Sequence, residues 1–281
     1  MDTDAALRQT VLDVSAALNS VYNGSGRTHR EADQWLQKFQ HSEKAWSVSD
    51  AMLRMESAEL NVTFFAAQTI HAKIRLNFRE LPKESIPMLR NSLVDHLARW
   101  SATGKSAVIT RICLALAALA LQENWQDVIK DLSARLMQAG PPEQQNQTAR
   151  VVLEFMKVLP EEAVSHRVVI LEATREAFLR QLCGSSTFLL SSLQQIAVGP
   201  LGAEVMVQET VFQCLQSWVR HVDVPAQELV RSPLLQAAFD ALAKRELFET
   251  GVDLLVESWC TEVEKSVEMR LYSKIEHSAK M

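Results

Sequence analysis

The chain has 281 residues, 47% of them hydrophobic and 22% charged, with a formal net charge of −5. This balance excludes a wholly disordered chain, and the mild negative charge argues against a nucleic-acid binder, which would carry a basic surface. Glycine and proline are scarce, at 8 each, so long helices with short connections are expected.

The first residues, Met1-Asp2-Thr3-Asp4, are acidic and lack the basic-then-apolar order of a signal peptide. In the second helix, Ala32, Trp35, Leu36 and Phe39 follow the i, i+3, i+4, i+7 template. Val62, Ala66, Ile70, Ile74 and Phe78 form the next clear stripe, with Phe65 alongside. Ile86, Leu89, Leu93, Leu97 and Trp100 form another. The longest apolar run, Ile112 to Leu121, is too short to span a bilayer and reads as a buried helix, so no membrane insertion is expected. Leu235, Ala238, Phe239 and Leu242 repeat the pattern near the end. No segment shows period-two alternation bounded by hairpin turns.

Breakers divide these stripes into about twelve helices. They are Asn23-Gly24-Ser25-Gly26, Pro82, Thr103-Gly104, Gly140-Pro141-Pro142, Leu159-Pro160, Gly199-Pro200-Leu201-Gly202 and Val224-Pro225. Pro82 is placed in the first turn of a helix, where its missing N–H costs nothing. The helices fall into about six antiparallel pairs: 4–41, 43–78, 82–121, 123–158, 166–221 and 225–264. That period predicts an all-α fold, an α-α superhelix of the HEAT or armadillo kind, over residues 1–264. In the fifth pair a helix from Val168 to Val198 carries Cys183-Gly184-Ser185-Ser186, a site for a kink or a break. The segment 265–281 is polar and loses a sustained apolar stripe, leaving the last apolar face open unless this tail folds back over it.

Motifs for chemistry are weak. Thr103-Gly104-Lys105-Ser106 resembles the end of a phosphate-binding loop, but Arg99 stands where that motif needs glycine and a helix precedes it, so an interhelical turn is expected. No histidine pairs with another histidine or a cysteine at metal-ligand spacing, so no metal or cofactor is expected. His71 and His96 read as helix-face residues, and Glu161-Glu162 as a solvated helix start. No nucleophile signature is present, and an enzyme is not expected. Cys113, Cys183, Cys214 and Cys260 each sit in an apolar helical stretch and read as buried free thiols of a reducing, intracellular compartment. Trp35, Trp100 and Trp218 read as core, and Trp46 and Trp125 as staples between adjacent repeats.

Several segments carry a collinear resemblance. Trp35-Leu36-Gln37-Lys38-Phe39-Gln40, Ala45-Trp46, Phe65-Ala66-Ala67-Gln68-Thr69 and Lys73-Ile74 resemble the start of the importin-β family of nuclear transport receptors. Within it they look like the importin-13 and transportin-3 branch. Thr110 to Ala117, Leu119-Ala120-Leu121 and Val158-Leu159-Pro160-Glu161-Glu162 continue the likeness. Ser217-Trp218-Val219, Leu235 to Phe239 and Glu246-Leu247-Phe248 place it nearer importin-13.

The resemblance implies the N-terminal arch of a longer HEAT-repeat receptor, as a fragment or short isoform. It would bind Ran-GTP, carry protein cargo, contact Phe-Gly nucleoporins and shuttle between cytoplasm and nucleus. The Ran-binding region would lie in residues 25–100, with the second helix of each early pair lining a concave surface. Arg30, Gln34, Gln68, Lys73, Thr110 and Arg111 are the polar residues on those helices expected to face Ran. The competing expectation is a Ran-independent helical-repeat scaffold for protein interactions.

Overall fold

The computed structural model describes residues 2–55, 59–139 and 144–260. The stop at Gly140-Pro141-Pro142 and the tail 265–281 lie outside the described residues. Fourteen α-helices are present among those described, and no strand. The described residues fall into two compact units, one of those up to 155 with 165–175 and one of 156–164 with 176–260.

The first unit is a stack of helix pairs, α1 (Asp2–Asn23) with α2 (Gly26–His41), α3 (Lys44–Arg54) with α4 (Leu60–Asn77), and α5 (Ile86–Ser101) with α6 (Ser106–Glu123). Then follow α7 (Val128–Ala139) and the first residues of α8 (Gln145–Val164). The odd helices contact one another in order, α1 to α3 to α5 to α7, and α2, α4 and α6 do the same. Two layers result, each helix burying its stripe against its partner and against its neighbours along the stack. The helix α6 is buried at eleven positions from Val108 to Leu121. By length and composition alone it is long and apolar enough to cross a membrane, and here it is a core helix packed on α4 and α5.

Local chemistry sets the ends. Gly26 (φ +64°) closes the turn after α1. Asn124 adopts the left-handed region (φ 50°) after α6, and the Trp125 N–H returns to the Ala120 carbonyl at 2.9 Å, a Schellman-type stop. Pro82 does not open α5: it precedes a short 3-10 turn, Lys83–Ser85, and Pro87 occupies the first turn of the α-helix instead. After α8 the chain turns, with the Val168 N–H donating to the Ser165 carbonyl at 3.1 Å, and the Val169 N–H donates to the Arg75 carbonyl at 2.9 Å. Gln122 Nε2 donates to the carbonyls of both Ile74 and Val169, each at 3.2 Å, tying this strap to the ends of α4 and α6.

The second unit holds the last residues of α8 and most of α9 (Glu172–Gly184), then α10 (Ser186–Val198), α11 (Val205–His221), α12 (Ala226–Arg231), α13 (Pro233–Ala241) and α14 (248–260). Leu159-Pro160 is not a stop, because α8 runs through Pro160 to Val164. Glu162 is accordingly buried inside the helix rather than solvated at a helix start. The expected Val168–Val198 helix is broken: residues 168–171 are outside any helix, and Ser185 (φ −93°, ψ 0°) separates α9 from α10. Ser232 caps α13 by accepting from the Leu234 N–H, with Pro233 in the first turn. Helix α14 crosses α13 closely at Gly251, where a Cβ would stand 3.1 Å from the Ala238 carbonyl oxygen.

Of the cysteines, none is in a disulfide; Cys113 and Cys214 are buried, whereas Cys183 is half-buried and Cys260 exposed, because both occupy helix ends. Trp100 and Trp218 are core residues, but Trp35 is 39% exposed. Trp125 joins adjacent pairs, donating to Asp131 at 3.0 Å beneath the Arg90 guanidinium, 5.0 Å from the ring. Trp46 instead receives Lys73 from the partner helix of its own pair.

Candidate protein-interaction face

The expected binding helices are α2, α4 and α6, and their packing side by side builds a continuous face. Arg30 and Gln34 stand one turn apart on α2, both exposed. Gln68 is exposed on α4, one turn beyond Phe64. The Arg111 guanidinium of α6 lies 5.4 Å from the Phe64 ring centroid, so Arg111 and Gln68 belong to the same stretch of surface. Thr110 is half-buried and donates to Glu154 of α8 at 2.7 Å, so it joins α6 to the next helix of the layer.

Lys73 departs from the expected solvent-facing position. It is 1% exposed, ion-paired to Glu80, and its ammonium lies 5.5 Å from the Trp46 ring centroid. The reason was present in the spacing: Lys73 follows Ala66 by seven residues and Ile70 by three, which puts it on the inward stripe of α4. Hydrogen bonding to Lys73 outweighs the slight burial of Glu80 and holds that carboxyl below its usual range.

Aromatic side chains missed among the candidates complete the face. Trp35 stacks on Phe39 at 5.9 Å, and Phe39 stacks on Phe65 of α4 at 6.3 Å. Gln40 donates to Thr69 at 3.1 Å beside them. The exposed Trp35 and half-exposed Phe64 give this polar surface apolar footholds of the kind that anchor protein interfaces.

In the other layer, Asp50 of α3 meets Ser92 and His96 of α5. His96 is buried, not a helix-face residue, and its Nε2 lies 2.8 Å from Asp50 Oδ1 and 3.3 Å from Ser92 Oγ. Ser92 also donates directly to Asp50, and Arg54 Nε donates to the other carboxylate oxygen at 3.0 Å. A nucleophilic triad needs serine and carboxylate on opposite ring nitrogens. Here both crowd one nitrogen, while Nδ1 is buried without a hydrogen-bond partner. The cluster is a clasp between α3 and α5. Burial pushes the Asp50 carboxyl up, but the hydrogen bonds from His96, Ser92 and Arg54 win and hold it well below the usual carboxylate range. The loop Thr103-Gly104-Lys105-Ser106 is an interhelical turn, with Gly104 at φ +68° and the Lys105 ammonium over the Trp100 ring. Among the described residues no group of three or more histidine, cysteine, aspartate or glutamate side chains is placed to hold a metal ion.

Residues 32–99 match the family model of the Importin-beta N-terminal domain, and residues 105–255 match that of Exportin 1-like protein. The chain is 32% identical over 263 residues to Importin-13 of Homo sapiens, covering 90% of this chain and 26% of that protein, and the same figures hold for Importin-13 of Bos taurus. It is 31% identical over 252 residues to Transportin MOS14 of Arabidopsis thaliana, covering 87% of this chain and 25% of the relative. The chain thus spans about a quarter of the length of the curated relatives it matches.

Proposed function

Since the chain belongs to the importin-β family, with the family's N-terminal domain at 32–99 followed by an exportin-1-like region at 105–255, we propose that it is the N-terminal part of a nuclear transport receptor that binds Ran-GTP through α2, α4 and α6. One observation carries the reading: within and beside the family-matched region, the neighbouring helices α2, α4 and α6 present exposed Arg30, Gln34, Trp35 and Gln68 with half-exposed Phe64 and Arg111 on one layer. Thr110 supports that face from the α8 side. Lys73 supports it from within and does not touch the partner.

The mechanism is conformational. The receptor binds Ran in its GTP form and hydrolyses nothing itself. Import cargo and Ran-GTP exclude one another, and by linkage each weakens the other's binding by the same factor. The nucleotide state of Ran then sets where cargo is released, as the receptor shuttles between cytoplasm and nucleus past Phe-Gly nucleoporins. Residues beyond this chain's quarter of the receptor length would supply most of the cargo surface.

A pull-down with the purified chain tests this directly. Ran loaded with GTP is retained and Ran loaded with GDP is not. Equal retention of both forms would instead support the Ran-independent scaffold, which binds proteins through the same layered helices, and retention of neither would remove Ran from the reading.

A further inference from the structure

Helix α2 carries a row of basic side chains that the fold does not use. Arg27, Arg30, Lys38 and His41, with Gln34 between them, follow one another every three or four residues. They lie within about a quarter of the helix circumference and extend over about 21 Å. The row points away from Leu36 and Phe39, the buried residues of α2, and all five of its side chains are exposed. Arg27 pairs with Glu31 at 2.7 Å, a solvated surface contact. Among the described residues no carboxylate is ion-paired to Arg30, Lys38 or His41. Asp33 lies off the row and accepts from Gln37 at 2.9 Å. The rest of the layer adds no opposing charge: α4 contains no Asp or Glu, and the one acidic residue of α6, Glu123, is paired to Arg90 of α5 at 3.1 Å. In a chain of net charge −5 this face is a local reversal of sign. Like charges one turn apart, as at Arg27 and Arg30, weaken a helix slightly, and here no packing offsets the repulsion.

Beside this row stands Trp35, one turn from both Glu31 and Lys38 and 39% exposed. Its ring lies nearly parallel to that of the buried Phe39, which stacks in turn on Phe65 of α4. The stack fixes the indole before any partner arrives, so little side-chain freedom is lost on binding. We propose that α2 docks an acidic polypeptide segment that carries a bulky apolar side chain among its carboxylates. The carboxylates meet Arg30 and Lys38, Gln34 donates between them, and the apolar side chain packs on Trp35. The inference goes beyond the reading above: it shares that layer of helices but names the chemistry that α2 recognises, whichever protein carries it. A nucleic acid is the poorer fit. It carries a negative charge at every step and meets few cations here against the −5 of the chain. Single strands also need a succession of aromatic platforms, and α2 exposes one.

The test uses the purified full chain and a fluorescein-labelled peptide of repeating Glu-Glu-Leu units, read by fluorescence anisotropy. The parent chain binds the peptide, and binding weakens as salt rises. The double variant Arg30→Gln with Lys38→Gln loses about tenfold or more in affinity. Trp35→Ala loses about fivefold or more toward this peptide and stays within about twofold of the parent toward an all-Glu peptide. The substituted side chains are exposed, so far-UV circular dichroism of each variant matches the parent and a loss of binding is not a loss of fold. Equal affinity of the parent and the double variant would overturn the proposal. So would a parent chain that binds no peptide, or that binds a labelled single-stranded oligonucleotide more tightly than the peptide. Ran is absent from this assay, so the two readings fail separately: peptide binding by a chain that does not retain Ran-GTP would remove Ran and leave the acidic segment in place.

Discussion

The Trp218 indole N–H donates to the Met156 carbonyl at 2.8 Å, and Met156 is the residue whose carbonyl Pro160 leaves unpaired four positions on in α8. A proline inside a helix removes the N–H that would bond to residue i−4. Trp218, fully buried on α11, supplies that donor from another helix. The proline is thereby tolerated, and the two helices are held in a fixed register.

Replacing Trp218 with Phe therefore costs more than the lost volume. The orphaned carbonyl alone is worth about 1–3 kcal/mol. Adding Pro160→Ala to the Trp218→Phe chain restores an in-helix donor and recovers about 1 kcal/mol. In the parent background Pro160→Ala gains less, because Met156 already has its partner. Urea denaturation of the four proteins in a double-mutant cycle measures the difference; equal effects of Pro160→Ala in both backgrounds would show that the carbonyl is not shared.

Lys73 separates folding from binding. Its stem is buried in the α3–α4 pair, so Lys73→Met keeps the packing and shifts stability by less than about 1.5 kcal/mol. Lys73→Glu puts a second carboxylate beside Glu80 in a buried site and costs about 3 kcal/mol or more. Thermal melts read both effects, while Ran-GTP retention by the Lys73→Met chain stays at the parent level.

Arg111 and Phe64 behave the opposite way. Either residue changed to Ala alters stability by about 1 kcal/mol or less, since the exposed cation–π contact is worth about 0.5–1 kcal/mol. Ran-GTP affinity falls by about tenfold or more, as for an Arg or aromatic anchor in an interface. Titration calorimetry against Ran-GTP checks this; unchanged affinity for both variants would move the binding face off α4 and α6.

The Asp50 clasp gives a pH dependence with a definite sign. Its folded-state carboxyl titrates below its unfolded value, so the stabilisation is present above the ordinary Asp value of about 3.9 and is lost as pH falls below it toward the folded value. The urea midpoint of the parent chain should drop between about pH 5 and pH 3, and Asp50→Asn should start lower at pH 7 and fall less over the same window.

Gln122 holds the strap that follows α8. Gln122→Leu removes both amide bonds, to Ile74 and to Val169. Hydrogen exchange of the Val169 amide, which donates to Arg75, should accelerate by about tenfold while amides in the centre of α6 keep their protection.

Much of the architecture could be read in the residues. The stripes of α2, α4, α5 and α6 are regular enough that their pairing follows from the spacing of Leu, Ile, Ala and Phe and from the turns between them. The burial of Lys73 could also have been read, three residues after Ile70 on the same stripe. The exposure of Trp35 could not: it shares the α2 stripe with the buried Leu36 and Phe39, and only the stacking of α2 beside α4 shows which edge of the stripe stays in solvent.

The sequence by itself determined the helices of the first three pairs, their order and their pairing, because helical periodicity and turn residues act over a few positions. Only the tertiary structure decided that α8 continues through Pro160, that Asp50, Ser92 and His96 form a clasp rather than a relay, and that Val230, Phe239 and Trp259 share one open groove. In each case the deciding partner lies tens of residues away. A donor for a freed carbonyl, the nitrogen a carboxylate meets and the wall facing an apolar side chain are properties of how helices stack, which no local spacing records.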